Sequence, residues 1–271
     1  TNYLTRSKQE YLVLSGSDII YNAHLDEMIR YHQDTGAEIT LLYTKDPGIK
    51  RDEYGTYFTT DEAGNVVNME VEPTHPSLEN TFMEVMVIKR ELLLNLVDKA
   101  VAHGLHGLDR DLILPMVMEK QARVNAYEYK GLCWRIDSVQ SYFKFNLDIL
   151  DPTKRKGIFR EDLPVYTKVR DEMPTYYGDN ANVINSLLAD GCQIEGTVEN
   201  SILFRGVRMI PGQQNRRDAK RPDRFDHLFS VGTNGIGQDE EARRGVVDSK
   251  INDCAPFAQI FVRLMGHNGN P

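Results

Sequence analysis

The sequence predicts an α/β domain followed by the start of a left-handed parallel β-helix. Three observations carry this reading. Strand-like and helix-like segments alternate through residues 1–150. A polar stretch holding Pro152, Pro164 and Pro174 then reads as a linker over residues 151–180. Beyond it, in residues 181–210, Leu188 and Ile194 lie six residues apart, as do Cys192 and Val198, with polar or glycine-containing steps between them. A six-residue period suits a triangular coil of short strands in which every sixth side chain points inward. By pattern alone, the same residues also fit two ordinary short strands.

The elements follow in order. YLVL at residues 11–14 is a buried strand, and the turn SGSDIIYN follows it. Leu25–Thr35 places Leu25, Met28, Ile29 and His32 on one helical face, with Gly36 as the stop. EITLLYTK is a β-rich run that completes a strand–helix–strand unit, which predicts parallel pairing through a right-handed crossover. Residues 57–60 and Val66–Val71 flank DEAGN as a hairpin. Residues 89–103 carry Leu92, Leu93, Leu96, Val97 and Ala100 at helical spacing. A further helix over residues 109–120 is expected to kink or end early at Pro115. VNAYEY alternates as a strand, LCWRI reads as another, and Ser138 caps a helix that Asp151-Pro152 stops. Residues 164–169 form one further strand candidate.

Composition narrows the function classes. The 271 residues suffice for one large or two modest domains at roughly 100–200 residues each. Apolar residues at 41% and charged residues at 27% predict a sizeable core under a solvated surface. A net charge of −8, from 40 acidic and 32 basic residues, disfavours nucleic-acid binding, which needs a concentrated positive field. Cys133, Cys192 and Cys254 show no metal-ligand spacing, and their odd number without a signal peptide points to a reducing cytoplasm. No apolar run approaches the roughly 18 residues that span a bilayer, so no membrane partner is expected. The start TNYLTRSKQEYLVL lacks an initiator Met, which predicts a piece of a longer chain. Residues 211–271 lose the repeat and read as an aperiodic tail, disordered or frame-shifted, with a basic cluster at 216–224 and one run capable of burial, APFAQIFVRLM.

Several segments together resemble the ADP-glucose pyrophosphorylase (glucose-1-phosphate adenylyltransferase) family, nearest to its GlgD-type regulatory subunit. They are YLVLSGSDIIYNAHLDEMIRYH, GAEITLLYTK, SVQSYFKFNLDILDP, PVYTKVRDEMPTYYG and NSLLADGCQIEGTVENSILFRGV, within residues 9–210. The resemblance implies a partial Rossmann-like nucleotidyltransferase domain and then a left-handed parallel β-helix. The family's glycine-rich basic loop, whose N–H groups and cation would cradle a triphosphate, does not appear in this sequence. It is expected upstream of Thr1.

The resemblance also assigns roles. The family joins glucose 1-phosphate to ATP on a divalent metal that two aspartates hold. Ser17 falls at the first ligand position and Arg135 at the second; a hydroxyl is a poor replacement and a guanidinium repels the ion. Asp18 and Asp137 are alternative acids. A one-residue shift on a strand reverses the face, and a two-residue shift moves the carboxylate by roughly 6.5 Å. Glu72, in MEVEP, replaces a lysine for the sugar phosphate, and Glu84, after Met83, replaces a glycine. In GLDRD, Gly107 stands where the family has an acid. His103 and His106 read as helix-end residues; Lys144, Lys168 and Arg170 as surface cations or an effector site; Trp134, Tyr142, Phe143 and Phe145 as packing residues. These replacements imply no catalytic residue and no metal or cofactor bound in this chain. Magnesium would belong to a catalytic partner in a hetero-oligomer for glycogen synthesis. Two alternatives are an active enzyme using Asp18 and Asp137, and a hexapeptide-repeat acyltransferase. The second would need a His in the repeat, and residues 181–210 contain none.

Overall fold

The computed structural model describes residues 2–46, 54–166, 171–210 and 214–216. Lys168, Arg170, Cys254, the basic run after Arg216 and APFAQIFVRLM lie outside the described residues. The chain forms two compact units. One contains Thr1–Ile136 with Glu161–Leu163; the other contains Asp137–Arg160 and resumes at Pro164.

The first unit begins with α1 (Asn2–Arg6), β1 (Tyr11–Ser15), β2 (Ile19–Ile20), α2 (Leu25–Thr35) and β3 (Ile39–Thr44). The hairpin β4 (Thr56–Thr60) and β5 (Val66–Val71) follows, as DEAGN predicts. Then come β6 (Asn80–Lys89), α3 (Arg90–His103), α4 (Leu114–Met118), β7 (Val124–Glu128) and β8 (Trp134–Arg135). Strands β1 and β3 run in the same direction but do not pair. Strand β6 lies between them, antiparallel to both, and the parallel neighbour of β3 is β7. A crossover sets direction and hand; it does not forbid a longer strand from inserting between the two it connects. In β6, NTFMEVMVIK, only Glu84 and Lys89 are not buried.

Strand periodicity feeds a core on each face of this sheet. Leu41, Met86 and Ile88 face one core with Leu93 and Leu96 of α3 and Met116 of α4. Leu42, Val85 and Val87 face the other with Met28 of α2. The result is a three-layer α/β unit. His32 of α2 is fully buried, its Nδ1 2.8 Å from Thr40 Oγ1. Burial, then the nearby Lys89 charge, pushes its pKa down to about 4. The expected helix over residues 109–120 is instead a π-helical turn, Leu108–Ile113, followed by α4. Pro115 falls where this continuous helical stretch passes from the π-turn into α4, so the break expected there takes the form of a change of helix type. The LCWRI strand shrinks to β8, which pairs with β2.

In the second unit, α5 (Val139–Asp148) starts at the expected Ser138, which forms a capping box with Ser141. The stretch read as a linker holds another helix, α6 (Pro152–Ile158). Asp151 caps it by accepting the Thr153 N–H at 2.7 Å, with Pro152 at its first position. Asp-Pro therefore ends one helix and begins the next. Residues 164–166 form no strand.

The coil strands are β9 (Tyr176–Tyr177), β10 (Asn182–Ile184), β11 (Leu187–Leu188), β12 (Gln193–Ile194), β13 (Thr197–Glu199), β14 (Ile202–Leu203), β15 (Arg208–Met209) and β16 (Gln214–Arg216). They build three parallel ladders, β10-β13-β16, β11-β14 and β9-β12-β15. Val183 lies beside Val198, Leu188 beside Leu203 and Ile194 beside Met209. The stacking distance is thus fifteen residues, and it is visible as NVINSLLADGCQIEG over TVENSILFRGVRMIP. The six-residue step expected from sequence carries an inward side chain from one side to the next, as from Leu188 in β11 to Ile194 in β12. It does not mark coil-to-coil stacking. Asn185 and Asn200 turn the same corner at φ 43° and 48°, with Asn185 Nδ2 donating to Asn200 Oδ1 at 2.7 Å. The pattern also outlasts residue 210, because β16 pairs with β13. Thr197 faces Gln214, so two extra residues break the fifteen-residue phase there and hide the rung from a fixed-period reading.

Two outcomes follow for stability. The pKa of His32 is lower in the folded chain than unfolded, so its contribution is complete above about pH 6.5 and lost as pH falls toward 4. Urea unfolding of wild type against His32→Leu should show a stability difference that shrinks by up to ~3 kcal/mol between pH 7 and 4. At the coil corner, Asn200→Ala should cost about 1–2 kcal/mol and Asn200→Gly less, since glycine keeps the left-handed backbone at no steric cost.

Candidate active site

The site forms where β6 changes neighbours. Strand β3 takes one edge of β6 along its length, so β4 and β1 share the other: β4 pairs at Asn80 and Thr81, β1 from Val85 to Lys89. Between them the strand bulges. Leu41 faces Met86 and Tyr43 faces Phe82, so two steps on β3 span four on β6. Glu84 sits in the bulge at φ 55°, a left-handed conformation that favours the glycine the resemblance expects there. A cavity of about 530 Å³ opens at this gap, lined by Ser15, Gly16, Thr56, Glu72, Glu84 and Asp109 among others.

Gly16 closes the end of β1 by donating its N–H to the Glu84 carbonyl at 2.8 Å. A Cβ on Gly16 would lie 2.6 Å from Glu84 Oε2 and 3.1 Å from Asp18 Oδ1, so a side chain there would have to displace the Glu84 carboxylate. Pairing of β2 with β8 sets Ile19 opposite Arg135, and the Ile136 N–H reaches the Asp18 carbonyl at 2.6 Å. Arg135 is thereby held beside the turn. Its side chain is 7% exposed, with Nε 3.5 Å from Asp18 Oδ2 and Nη2 3.3 Å from Glu84 Oε1. Burial, and next the Asp18 charge, lift Glu84 to about 7, with Arg135 pulling the other way.

The cavity wall is also acidic. Asp109 accepts the Thr56 hydroxyl at 3.0 Å, and burial raises its carboxyl above the ordinary range. Glu72, itself at φ 50°, is paired with Arg110 at 2.7 Å. Asp111 accepts the N–H groups of Gly107 and His106, which fixes the π-turn and holds its carboxyl below the usual range.

Of the residues singled out in sequence, Asp18, Glu84 and Arg135 meet in one cluster and Glu72 lines the adjoining cavity. Ser17 lies in the turn between β1 and β2. Asp137 belongs to the second unit, where its N–H donates to Ser141 Oγ. His103 lies in the last turn of α3, which Gly104 ends in a left-handed cap; His106 lies beyond the helix. Lys144 is exposed on α5 and Phe145 is buried there. Cys133 is buried, its thiol pushed up to about 12, and Cys192 is buried in the coil. Asp109 and Arg110 were legible only as parts of GLDRD, and their placement against Thr56 and Glu72 depends on the fold.

A crevice at the edge of a three-layer α/β sheet, entered by a glycine turn and a late strand bearing charge, agrees with a match of residues 1–151 to the family described as nucleotidyl transferase. The chain belongs to the nucleotidyl transferase family. Its curated relatives bear out the resemblance to ADP-glucose pyrophosphorylases. A glucose-1-phosphate adenylyltransferase of Geobacillus stearothermophilus is 29% identical over 213 residues, covering 78% of this chain and 54% of that protein. The glycogen biosynthesis protein GlgD of Bacillus subtilis is 28% identical over 214 residues, covering 78% and 51%. The glucose-1-phosphate adenylyltransferase of Clostridioides difficile is 28% identical over 208 residues, covering 76% and 53%. The chain spans about half the length of the curated relatives it matches.

The divalent metal that the resemblance implies for this nucleotidyl transferase does not fit the residues present. A buried guanidinium already lies against both acids of the cluster. Among the described residues, no three His, Cys, Asp or Glu side chains converge as ligands. A phosphate would also meet Glu72, Glu84 and Asp109 in the cavity wall, with Arg110 already paired.

The raised Glu84 has a measurable signature. Its folded pKa exceeds its unfolded one, so the folded state holds the extra proton and stability falls as pH rises from about 4.5 to about 7. The unfolding free energy of wild type minus that of Glu84→Gln should decrease across this window, opposite in slope to the His32 effect. A pH series of urea melts checks both.

Proposed function

We propose that this chain is a non-catalytic, regulatory subunit of a bacterial glucose-1-phosphate adenylyltransferase, acting in ADP-glucose synthesis for glycogen. One observation carries the reading: Arg135 is buried at an expected metal-ligand position and ion-paired to Asp18 and Glu84. The acidic wall at Glu72, where the family uses a lysine, adds to it, and a glycogen biosynthesis protein, GlgD, is among the relatives. The parallel coil of the second unit is, in this reading, the start of a left-handed β-helix that contacts a catalytic homologue in a hetero-oligomer. Magnesium and the reacting phosphates then belong to the partner. This chain acts by favouring one of the partner's states over another, which requires different contacts with each. The assembly works in the cytoplasm. No helix among the described residues is long and apolar enough to cross a membrane.

The test is an assay of pyrophosphate release from ATP and glucose 1-phosphate with magnesium. The expected result is no turnover by this protein alone, and an altered rate or effector response when it is mixed with a catalytic homologue from the same organism. Magnesium-dependent turnover by the protein alone, abolished by Asp18→Ala, would replace this reading with that of an active enzyme.

A further inference from the structure

The chain visits the first unit twice. Asp137–Arg160 belongs to the second unit, and so does the stretch from Pro164, yet Glu161–Leu163 between them belongs to the first. Asn22 and His24 receive these three residues. Asn22, at 5% exposure, donates from Nδ2 to the Leu163 carbonyl at 2.9 Å, and His24 Nε2 lies 3.2 Å from Asp162 Oδ2. The second contact is a solvated pair and holds little. The first is the tie, because a buried amide gives up a hydrogen bond only at a cost.

Asn22 also belongs to the frame of the site. It lies two residues beyond β2, and Leu132 lies two residues before β8. The Tyr129 hydroxyl joins them: it accepts the Asn22 N–H at 3.2 Å and donates toward the Asn22 and Leu132 carbonyls at 3.2 and 3.1 Å. This hydroxyl closes one end of the two-residue β2–β8 ladder, and the Ile136 N–H on the Asp18 carbonyl closes the other. So short a ladder depends on its closures to keep Arg135 beside Asp18.

We propose that Glu161–Leu163 is a strap through which the second unit biases the Asp18–Arg135 turn, with Asn22 as its clasp. Docked, the strap holds the Asn22 side chain while Tyr129 holds its backbone, and the ladder keeps its register. Undocked, the Asn22 amide loses that acceptor and turns to find another, which loosens the Tyr129 closure. Glu161 and Asp162 are exposed and Leu163 is half-buried, so few contacts oppose release. Any load on the second unit pulls on the chain at Pro164, next to the tie. The device is built from contacts within one chain and holds whether or not that chain regulates a partner.

The experiment uses the full chain and its single tryptophan, Trp134, which sits in β8 opposite Ile20. Trypsin cleavage after Arg160, read by mass spectrometry, reports the strap. Trp134 emission and hydrogen exchange of residues 132–136 report the ladder, and exchange of α2 reports the frame. Asn22→Ala, and separately Glu161→Gly, Asp162→Gly and Leu163→Gly together, should each speed cleavage roughly fivefold or more. Both should also move Trp134 emission to longer wavelength and speed exchange at 132–136, with α2 unchanged. Asp162→Asn alone should leave every readout near wild type. Cleavage at the wild-type rate in both strap variants would overturn the proposal. So would faster cleavage with Trp134 and residues 132–136 unchanged, or loosening that spreads equally to α2. None of these readouts involves pyrophosphate release, so the strap and the subunit reading fail separately.

Discussion

Strand β6 must satisfy two neighbours along a single edge, and most of the first unit depends on how it does so. Its first residues pair with β4 and its last with β1, while β3 occupies the opposite edge throughout. A register shift against β3 on the opposite edge sets Glu84 in a bulge between the two partners, at the cost of a left-handed residue without glycine, roughly 1 kcal/mol or more. The gap between the partners becomes the cavity, and the bulge aims Glu84 at its mouth.

Charge then organises what geometry opened. A carboxylate in the middle of a buried strand is strongly disfavoured, and Glu84 is shifted toward neutrality chiefly for that reason. Arg135 meets it from β8, which is placed by a pairing of only two residues with β2. The site is thus held by short elements at its rim, whereas the two cores beneath are held by long, fully buried strands. This division lets site chemistry change while the three-layer frame stays intact. Arg135, Glu72 and Glu84 differ in charge from what the family resemblance expects, yet each has found a structural partner: Asp18 and Glu84 for Arg135, Arg110 for Glu72.

The coil of the second unit obeys a different constraint. Each rung must hydrogen-bond to the next, so corners rather than sides have to repeat. Asn185 with Asn200, and Gly191 with Gly206, supply matching left-handed turns at fixed positions. Side-chain identity along the sides is looser: Cys192 is followed by Val207, and Ile194 by Met209. That is why the aliphatic step of six drew attention first, although the backbone repeats every fifteen residues.

The sequence by itself determined the α/β class, the hairpin around DEAGN, the Gly36 helix stop and the Ser138 cap, because each is a local preference of a few adjacent residues; the coil was legible only with the family resemblance, since its pattern also fits two short strands. It also marked Asp18, Glu72, Glu84 and Arg135, though only through their place in a family resemblance. Three matters were decided by tertiary structure. Strand β6 entered between β1 and β3, because at ten residues it is long enough to pair with β3 on one edge and with both β4 and β1 on the other. Asp151-Pro152 became a helix start, because the signal that stops one helix also begins the next. Arg135 became the partner of Asp18 and Glu84, residues 117 and 51 positions away, because Coulomb interaction depends on distance through space and not along the chain.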